Sequence, residues 1–271
     1  MIDKTAMISP DAIIGENCKI GAYAIIGEDV KLGDNVTIMP HAYLEHCEIG
    51  SGTIISPFAS IGTAPQDLGY KNEPTKAYIG ENCIIKEYAT VNRGAVGDGD
   101  CTRVGNRCML MTSSHVAHNC VLEDEVIMAN LATIGGHCRI GKGAFIGGMS
   151  VFHQNVRIGE MCIVSGFSAS RKDIPPYCKA DGRPPYVHGI NSVGLKRRGF
   201  SVEERTNLKH AFKIFDSGEY TATQACEIIE KTLPQDEHLK KLVDFVRTSK
   251  RGVMLRSTGH YAVAAAEEQG E

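Results

Sequence analysis

The sequence contains no tryptophan, and aromatic residues make up only 6% of its 271 residues. It has no run of about 18 apolar residues, which a membrane-spanning helix requires, and its N-terminus lacks the basic and long apolar segments of a secretion signal. It also lacks a basic excess, because 29 Lys and Arg stand against 32 Asp and Glu, for a net charge of −3. These absences argue against membrane insertion and nucleic-acid binding, and predict a soluble cytoplasmic protein.

Cysteine is abundant, with 10 residues, but no Cys-x-x-Cys pair occurs, which argues against the common metal and redox motifs. Six of the cysteines share one phase, each standing four residues after an Ile or Val. This recurrence indicates a small buried position, which a free thiol fills well. We therefore predict structural, reduced cysteines and no metal site, again in the cytoplasm. The six are Cys18, Cys83, Cys108, Cys120, Cys138 and Cys162.

An aliphatic residue, often followed by glycine, recurs every six positions from Ile14-Gly15 onward, and its longest unbroken register runs from Val104 to Val164. A period of six fits neither an amphipathic helix nor an alternating strand. It fits a triangular coil in which three units make one turn and the aliphatic residues form a buried column. The glycines suit corners that need unusual torsions or close backbone approach. We predict a mainly β parallel β-helix of roughly nine coils, paired about 4.8 Å apart.

Two polar insertions interrupt the period, at 63–77 and 92–103. They are rich in Gly, Pro or Asp, so we expect loops that leave the corners of the coil. Binding groups commonly collect on loops that a rigid scaffold holds. We therefore expect both insertions to contribute to a site.

The repeat ends at 170–176, where Pro175-Pro176 cannot continue a ladder of strands. The pattern then becomes helical, and Ser201 begins a capping box. We predict a β-helix over 1–190, a C-terminal helical domain over 191–250, and a tail over 251–271 with too few apolar residues to become ordered. The predicted helices begin at Ser201, Thr221 and Glu237 and end near Gly218, Leu233 and Arg247.

Histidines concentrate in the most regular part of the repeat, at His115, His118, His137 and His153. With about 18 residues per coil, the last three fall near one face on successive coils. An imidazole, whose pKa is about 7, can accept the proton of a hydroxyl that attacks an acyl donor. The glycines before His137 would leave backbone N–H groups open to a tetrahedral oxyanion. The pattern indicates acyl transfer, with a set of solvated corner histidines as the alternative.

Six short segments, in a fixed order along the chain, resemble those of the UDP-N-acetylglucosamine O-acyltransferase family: QDL, HVAHNC, GGH, GGMSVFHQ, RKDIPPY and GINSVGLKRRGFS. The resemblance covers about residues 1–250 and implies a left-handed parallel β-helix, a small C-terminal α-helical domain and a homotrimer. The implied reaction moves a fatty acyl group, expected to be 3-hydroxyacyl, from acyl carrier protein to the sugar 3-hydroxyl, the first step of lipid A biosynthesis. The donor is a phosphopantetheine thioester, and no other cofactor is implied.

The resemblance also implies residue roles. His118 would be the general base, beside Asn119, and the Gly136 N–H would stabilise the oxyanion. Gly166 and Ile163 would limit the acyl chain, and a glycine at 166 leaves room for about 14 carbons unless Phe167 closes the groove. Asn191, Arg197 and Arg198 would reach the nucleotide or its phosphates. For the two arginines, the alternative is a run of charges exposed to solvent. The substrate-binding residues would be Asp67, His115, His137, His153, Gln154, Asn191, Arg197 and Arg198.

Three positions depart from the family pattern. Asn119 stands where the family usually has Asp, and an amide can orient an imidazole but cannot offset the charge of an imidazolium. Gly69 stands where Lys often follows QDL, with Lys71 and Lys76 as possible substitutes. Val193 stands where an acidic residue is common.

Three other functions remain open. A sister UDP-3-O-acylglucosamine N-acyltransferase has a uridine-binding domain before its helix, whereas this chain already repeats by residues 8–14. A zinc-dependent hydratase of the carbonic-anhydrase type builds three-histidine sites on this fold. A non-catalytic scaffold is the third, and Asn119 is the best argument for it.

Overall fold

The structure, a computed structural model, describes residues 1–255, and its main part is a coil with three flat faces. Strands are numbered in chain order, and every third strand returns to the same face. The first face contains β1 (Met7–Ile8), β4 (Ile25–Ile26), β7 (Tyr43–Leu44), β10 (Ser60–Thr63), β13 (Thr90–Asn92), β16 (His115–Val116), β19 (Thr133–Ile134), β22 (Val151–Phe152) and β25 (Ala169–Ser170).

The second face contains β2 (Ile13–Ile14), β5 (Val30–Leu32), β8 (Cys47–Ile49), β11 (Lys76–Ile79), β14 (Cys101–Val104), β17 (Val121–Leu122), β20 (Arg139–Ile140) and β23 (Arg157–Ile158). The third face contains β3 (Lys19–Ile20), β6 (Thr37–Ile38), β9 (Ile54–Ile55), β12 (Ile84–Ile85), β15 (Met109–Leu110), β18 (Ile127–Met128), β21 (Phe145–Ile146) and β24 (Ile163–Val164). All neighbours within these coils pair in parallel, as the six-residue period predicted.

The aliphatic residue of each unit points into the coil, where it is sealed from solvent. Val116 pairs with Ile134, and Ile134 with Phe152, so the coils repeat in register along the axis. Ile134 and Ile146 are completely buried. The predicted apolar column is confirmed, and its burial is the main stabilising contribution to the β-helix.

The glycines that follow the aliphatic residues permit close approach between coils. A side chain at Gly15 would begin 2.5 Å from the carbonyl carbon of Gly33, which no real contact allows. The left-handed torsions lie two residues later, at Asn17 (φ 56°) and Asn35 (φ 58°). Close approach therefore explains most of these glycines, and Gly62, whose φ is 81°, also needs an unusual torsion.

All ten cysteines are buried free thiols, and several act as hydrogen-bond donors as well as core filler. Cys18 donates its Sγ–H to the Gly33 carbonyl at 3.1 Å, and Cys120 donates to Gly135 at the same distance. Thr53 performs the same task through its hydroxyl, 2.8 Å from the Gly80 carbonyl. The recurrent position therefore favours a small side chain that can satisfy a carbonyl of the next coil.

Beyond the prolines at 175–176 the chain forms a hairpin of β26 (Cys178–Gly182) and β27 (Pro185–Ile190), and β26 extends the third face. Up to residue 255 four helices follow: α1 (Ser192–Arg197), α2 (Val202–Asp216), α3 (Ala222–Thr232) and α4 (Glu237–Arg247). The capping box at Ser201 is present and begins α2 as predicted. None of the helices in residues 1–255 is both long and apolar enough to cross a membrane.

The predicted disorder of the tail is wrong for its first residues. Asp173 pairs with Gly252 and Met254 through backbone hydrogen bonds of 2.9 Å, and the Asp173 side chain binds Arg157. The sequence pattern missed this contact because its two strands lie about 80 residues apart, and such long-range pairing leaves no local pattern. The rest of the predicted tail, 256–271, lies outside the described residues.

Candidate functional site

Most of the predicted site residues lie at one corner of the coil, where strands of the first face lead to strands of the second. We call this the histidine corner. Both insertions leave the coil here, between β10 and β11 and between β13 and β14. The turns that carry His118, His137 and Gln154 follow on the next three coils. The loops at this corner span 64–75 and 93–100, a little shorter than the insertions at 63–77 and 92–103 in the sequence.

His118, His137 and His153 lie on successive coils of this corner but at different positions of their turns. Because Val116, Ile134 and Phe152 are paired, His118 stands directly below Gly136, and His137 and His153 occupy the neighbouring positions of their turns. The His118 and His137 rings meet edge to face, with centroids 5.2 Å apart. His153 lies one coil further, with its Nδ1 3.2 Å from Nη2 of Arg251.

Asn119 fixes the orientation and the tautomer of His118. Its Nδ2 donates to the carbonyls of Ala95 and Gly97, both at 2.9 Å, and its Oδ1 accepts the Ala95 N–H at 2.8 Å. These contacts determine which end of the amide faces the histidine, so Oδ1 stands 2.9 Å from His118 Nδ1. Since Oδ1 can only accept, Nδ1 carries the proton and Nε2 has a free lone pair. His118 is thereby prepared to act as a base through Nε2.

Gly136 keeps that Nε2 accessible. A β-carbon at this position would lie 2.6 Å from His118 Nε2, so any side chain would displace the ring or cover the atom. Within residues 1–255, the Gly136 N–H donates to no acceptor. An open N–H beside a base is the arrangement that an oxyanion requires.

His115 lies on β16, three residues before His118, and is mostly buried. Its Nδ1 is 2.7 Å from the Thr90 hydroxyl. Burial lowers the pKa of His115, and the proximity of His118 lowers it further. His115 is therefore neutral at pH 7, where it can exchange hydrogen bonds with a polar substrate without charge repulsion.

The two corner loops are tied together by Arg93, which the sequence reasoning missed. Its Nη1 forms an ion pair of 2.8 Å with Glu45 and donates to the Gly62 carbonyl at 2.9 Å. Its Nε donates to the Tyr70 hydroxyl of the first loop at 2.8 Å. The sequence holds no signal for this role, because Arg93 lies in an insertion without a period and its burial is seen only in the structure.

Asp67 lies exposed in the first loop, where its Oδ1 accepts the Gly69 N–H at 2.8 Å. Gly69, one of the departures from the family pattern, thus closes a tight turn around Asp67. Lys76, a possible substitute for the missing lysine, binds Asp29 at 2.7 Å. Its ammonium is therefore already paired, and Lys71 is the remaining candidate.

An apolar cavity of about 590 Å³ lies on the first face, beyond His115. This volume is large enough for part of an extended acyl chain. Its lining includes Val151 and Ala169 of this face together with His153 and Arg183. Gly166 lies in the turn that enters this face from the third, and Ile163 lies on β24 of the third face. Gln154 is exposed at the histidine corner.

Asn191, Arg197 and Arg198 lie elsewhere in the same chain. Asn191 caps α1, since its Oδ1 accepts the Gly194 N–H at 3.1 Å and its Nδ2 donates to the Met161 carbonyl at 2.9 Å. Arg198 donates to Glu125 at 2.6 Å and holds the pKa of that carboxyl below its usual value. Glu125 and Met161 are in turns between the second and third faces. The structure therefore places these three residues and His118 at two different corners of one chain.

Known proteins resemble this chain along nearly its whole length. It is 42% identical over 258 residues to the acyl-[acyl-carrier-protein]–UDP-N-acetylglucosamine O-acyltransferase of Campylobacter concisus, covering 94% of this chain and 97% of that protein. It is 43% identical over 253 residues to the protein of the same name from Thermodesulfovibrio yellowstonii, covering 93% and 98%. The chain belongs to this O-acyltransferase family.

Solved structures agree with this O-acyltransferase assignment. The crystal structure of the UDP-N-acetylglucosamine acyltransferase from Bacteroides fragilis matches with a TM-score of 0.91 and 39% identity, covering 93% of this chain and 99% of that chain. The left-handed parallel β-helix is therefore confirmed.

Two family models match parts of the chain. Residues 173–254 match the model described as UDP N-acetylglucosamine O-acyltransferase, domain 2, and residues 29–63 match the bacterial transferase hexapeptide model of six repeats. The chain is an acyltransferase, and its relatives favour neither the hydratase, the N-acyltransferase nor the scaffold.

We expect Asn119→Asp to destabilise this O-acyltransferase, although it restores the residue usual in the family. The carboxylate would face the carbonyls of Ala95 and Gly97 without a proton to donate, which should lower the free energy of unfolding by on the order of 2 kcal/mol. The measurement is denaturant-induced unfolding of the purified protein.

Asn155→Asp is the matched control, because Asn155 occupies the same turn position two coils later with φ 64° and is exposed. If the two variants lose equal free energy of unfolding, the carbonyls of Ala95 and Gly97 do not favour an amide over a carboxylate at position 119.

Proposed function

We propose that this protein transfers a fatty acyl group from acyl carrier protein to the 3-hydroxyl of UDP-N-acetylglucosamine, with His118 as general base. The observation that carries the proposal is the oriented His118 ring, whose Nδ1 proton is engaged by Asn119 and whose Nε2 opens beside the N–H of Gly136. The names of the relatives supply the donor and the acceptor. The reaction would be the first step of lipid A biosynthesis and would take place in the cytoplasm.

The proposed reaction needs no metal or cofactor other than the phosphopantetheine thioester of the donor. Nε2 of His118 accepts the proton of the sugar 3-hydroxyl as its oxygen attacks the thioester carbonyl carbon. The Gly136 N–H stabilises the oxyanion of the tetrahedral intermediate. When the intermediate collapses, the C–S bond breaks, its electron pair stays on sulfur, and the imidazolium returns the proton to this departing thiolate. The products are the acylated sugar nucleotide and the free thiol of acyl carrier protein.

The substrate-binding roles divide between the two corners. We propose that Asp67, His115, His137, His153 and Gln154 contact the sugar or the acyl donor at the histidine corner. Asn191, Arg197 and Arg198 would reach the nucleotide from the other corner, which they can do only at the site of a second chain. This separation supports a homotrimer in which each site lies between two chains.

The acyl chain would extend along the first face. The apolar cavity lies on this face, and Gly166 stands at its far corner from His118. We propose that Gly166 and Ile163 limit the chain where a neighbouring chain covers the groove, and that the preferred group is a 3-hydroxyacyl chain of about 14 carbons.

We expect His118→Ala to lower kcat by about two orders of magnitude or more, the usual loss for removing a general base. The assay follows acyl transfer from acyl carrier protein thioesters to UDP-N-acetylglucosamine by product mass. His210→Ala is the control, because His210 is exposed on α2, far along the chain from the corner. Undiminished turnover by a folded His118→Ala protein would reject the proposed mechanism.

Shared sites should permit complementation between variants. His118→Ala and Arg197→Ala chains would each be impaired alone, because every site in a uniform trimer carries the same defect. In randomly mixed trimers about a quarter of the sites combine the intact halves of both variants. Activity of the co-refolded mixture should rise to about that fraction of the wild-type value, whereas activity equal to the average of the two variants would place both residues at the site of one chain.

We expect the wild-type protein to prefer donors of about 14 carbons, and Gly166→Met to shift this preference toward shorter chains by filling the groove. A panel of acyl carrier protein thioesters, with products read by mass, measures the preference. A wild-type preference for about 10 carbons would show that another residue limits the chain.

A further inference from the structure

The second corner loop acts on two histidines of the site, on His118 through Asn119 and on His137 by direct contact. Through Ala95 and Gly97 it holds Asn119, which orients His118. Through Asp98 it reaches His137 directly, with 3.2 Å between Oδ2 and Nδ1.

We propose that Asp98 is a positioning residue for acyl transfer, which orients the His137 ring and supplies beside the two histidines the negative charge that Asn119 lacks. The inference deepens the function proposed above and rests on it. The sequence reasoning passed over this residue because it lies in an insertion without periodicity.

The geometry supports an orienting role. Among the hydrogen bonds of the described residues, the contact with Asp98 is the one that the His137 ring makes. The ring is otherwise placed by its edge-to-face contact with His118, at an interplanar angle of 88°. A ring contact of this kind allows rotation and flipping, whereas a hydrogen bond to one nitrogen selects a single orientation. With its Nδ1–H donated to Asp98, His137 presents Nε2 to the site.

The charges around His137 support an electrostatic role. Arg139 on β20 binds the same Asp98 oxygen at 2.6 Å, so the carboxylate is held in place and shared between a guanidinium and an imidazole. His118 lies on the coil below. The carboxylate therefore stands where it can stabilise an imidazolium at either step of a proton transfer between His118 and substrate.

The loop is shaped to present this carboxylate. Four successive residues, 97–100, have positive φ values, including 44° at Asp98 and 53° at Asp100. Asp and Asn are the side chains that tolerate this conformation best. The Asp100 carboxylate closes the turn by accepting the Gly97 N–H at 2.6 Å. Asp98→Asn therefore removes the charge without changing the loop, and Asp100→Asn is a control in the same loop with the same loss of charge.

The first test needs no activity. In the full-length protein, labelled with ¹⁵N in its histidine rings, NMR identifies which nitrogen of His137 carries the proton. We expect the proton on Nδ1 in the wild-type protein and in Asp100→Asn, and a loss of this preference in Asp98→Ala, which removes the acceptor that faces Nδ1. A proton that stays on Nδ1 in Asp98→Ala overturns the proposal.

The second test is kinetic. Asp98→Asn should lower kcat/KM by about tenfold, a typical coupling for residues in contact, and Asp100→Asn should leave it unchanged. In a His137→Ala background, Asp98→Asn should cost less than it does alone, because the orienting contact is already lost. Wild-type kcat/KM in Asp98→Asn, or losses that simply add to those of His137→Ala, overturn the proposal. If the wild-type protein transfers no acyl group, the proposed function fails instead, and the NMR measurement still decides whether Asp98 orients His137.

Discussion

The pairing of each coil with the next is the constraint on which the rest of the structure depends. Because Val116, Ile134 and Phe152 stand in register, any two residues 18 apart on these coils face the same way. Apolar residues at one phase become a sealed column, and polar residues at another become a line along a corner. The close stacking of His118 and Gly136 is a direct result, since the coils approach too closely at that point for any side chain but hydrogen.

Asn119 shows how a departure from a family pattern can be compensated by its surroundings. In the sequence it weakens the case for catalysis, because a neutral amide replaces a carboxylate. In the structure its amide group donates hydrogen bonds to the carbonyls of Ala95 and Gly97. A carboxylate has no proton to donate to these two carbonyls. The loop and the amide form one unit that holds the His118 ring in a single tautomer. The amide cannot supply the negative charge that an aspartate at position 119 would offer to a protonated His118 ring, so other residues must supply it.

The fold could be predicted because its cause is periodic. A six-residue period specifies strands, corners and a buried column at once, and the cysteines follow from the same phase. Contacts that lack a period could not be predicted, which explains why the Arg93 network, the pairing of Asp173 with residues 252–254 and the short helix α1 were missed. The capping box at Ser201, by contrast, is a local pattern and located α2 correctly.

The candidate site was predicted unevenly for a related reason. The histidine spacings of 19 and 16 identify the right corner, but they also place each ring at a different position of its turn. The short segment around Asn191 and Arg198 resembles a substrate-binding motif, yet nothing in the sequence indicates which corner α1 reaches. Only the contacts with Met161 and Glu125 reveal that this segment is turned away from His118.

The stacked coil also restricts how a chain of this kind can change in length. Removing one residue from a strand would turn every later side chain toward the wrong face, whereas a loop inserted at a corner leaves both neighbouring coils in register. Corners are thus the places where added segments cost the core least. Both insertions of this protein enter at the corner that holds His118, so the positions most tolerant of new sequence are also those from which new side chains can reach the reacting groups.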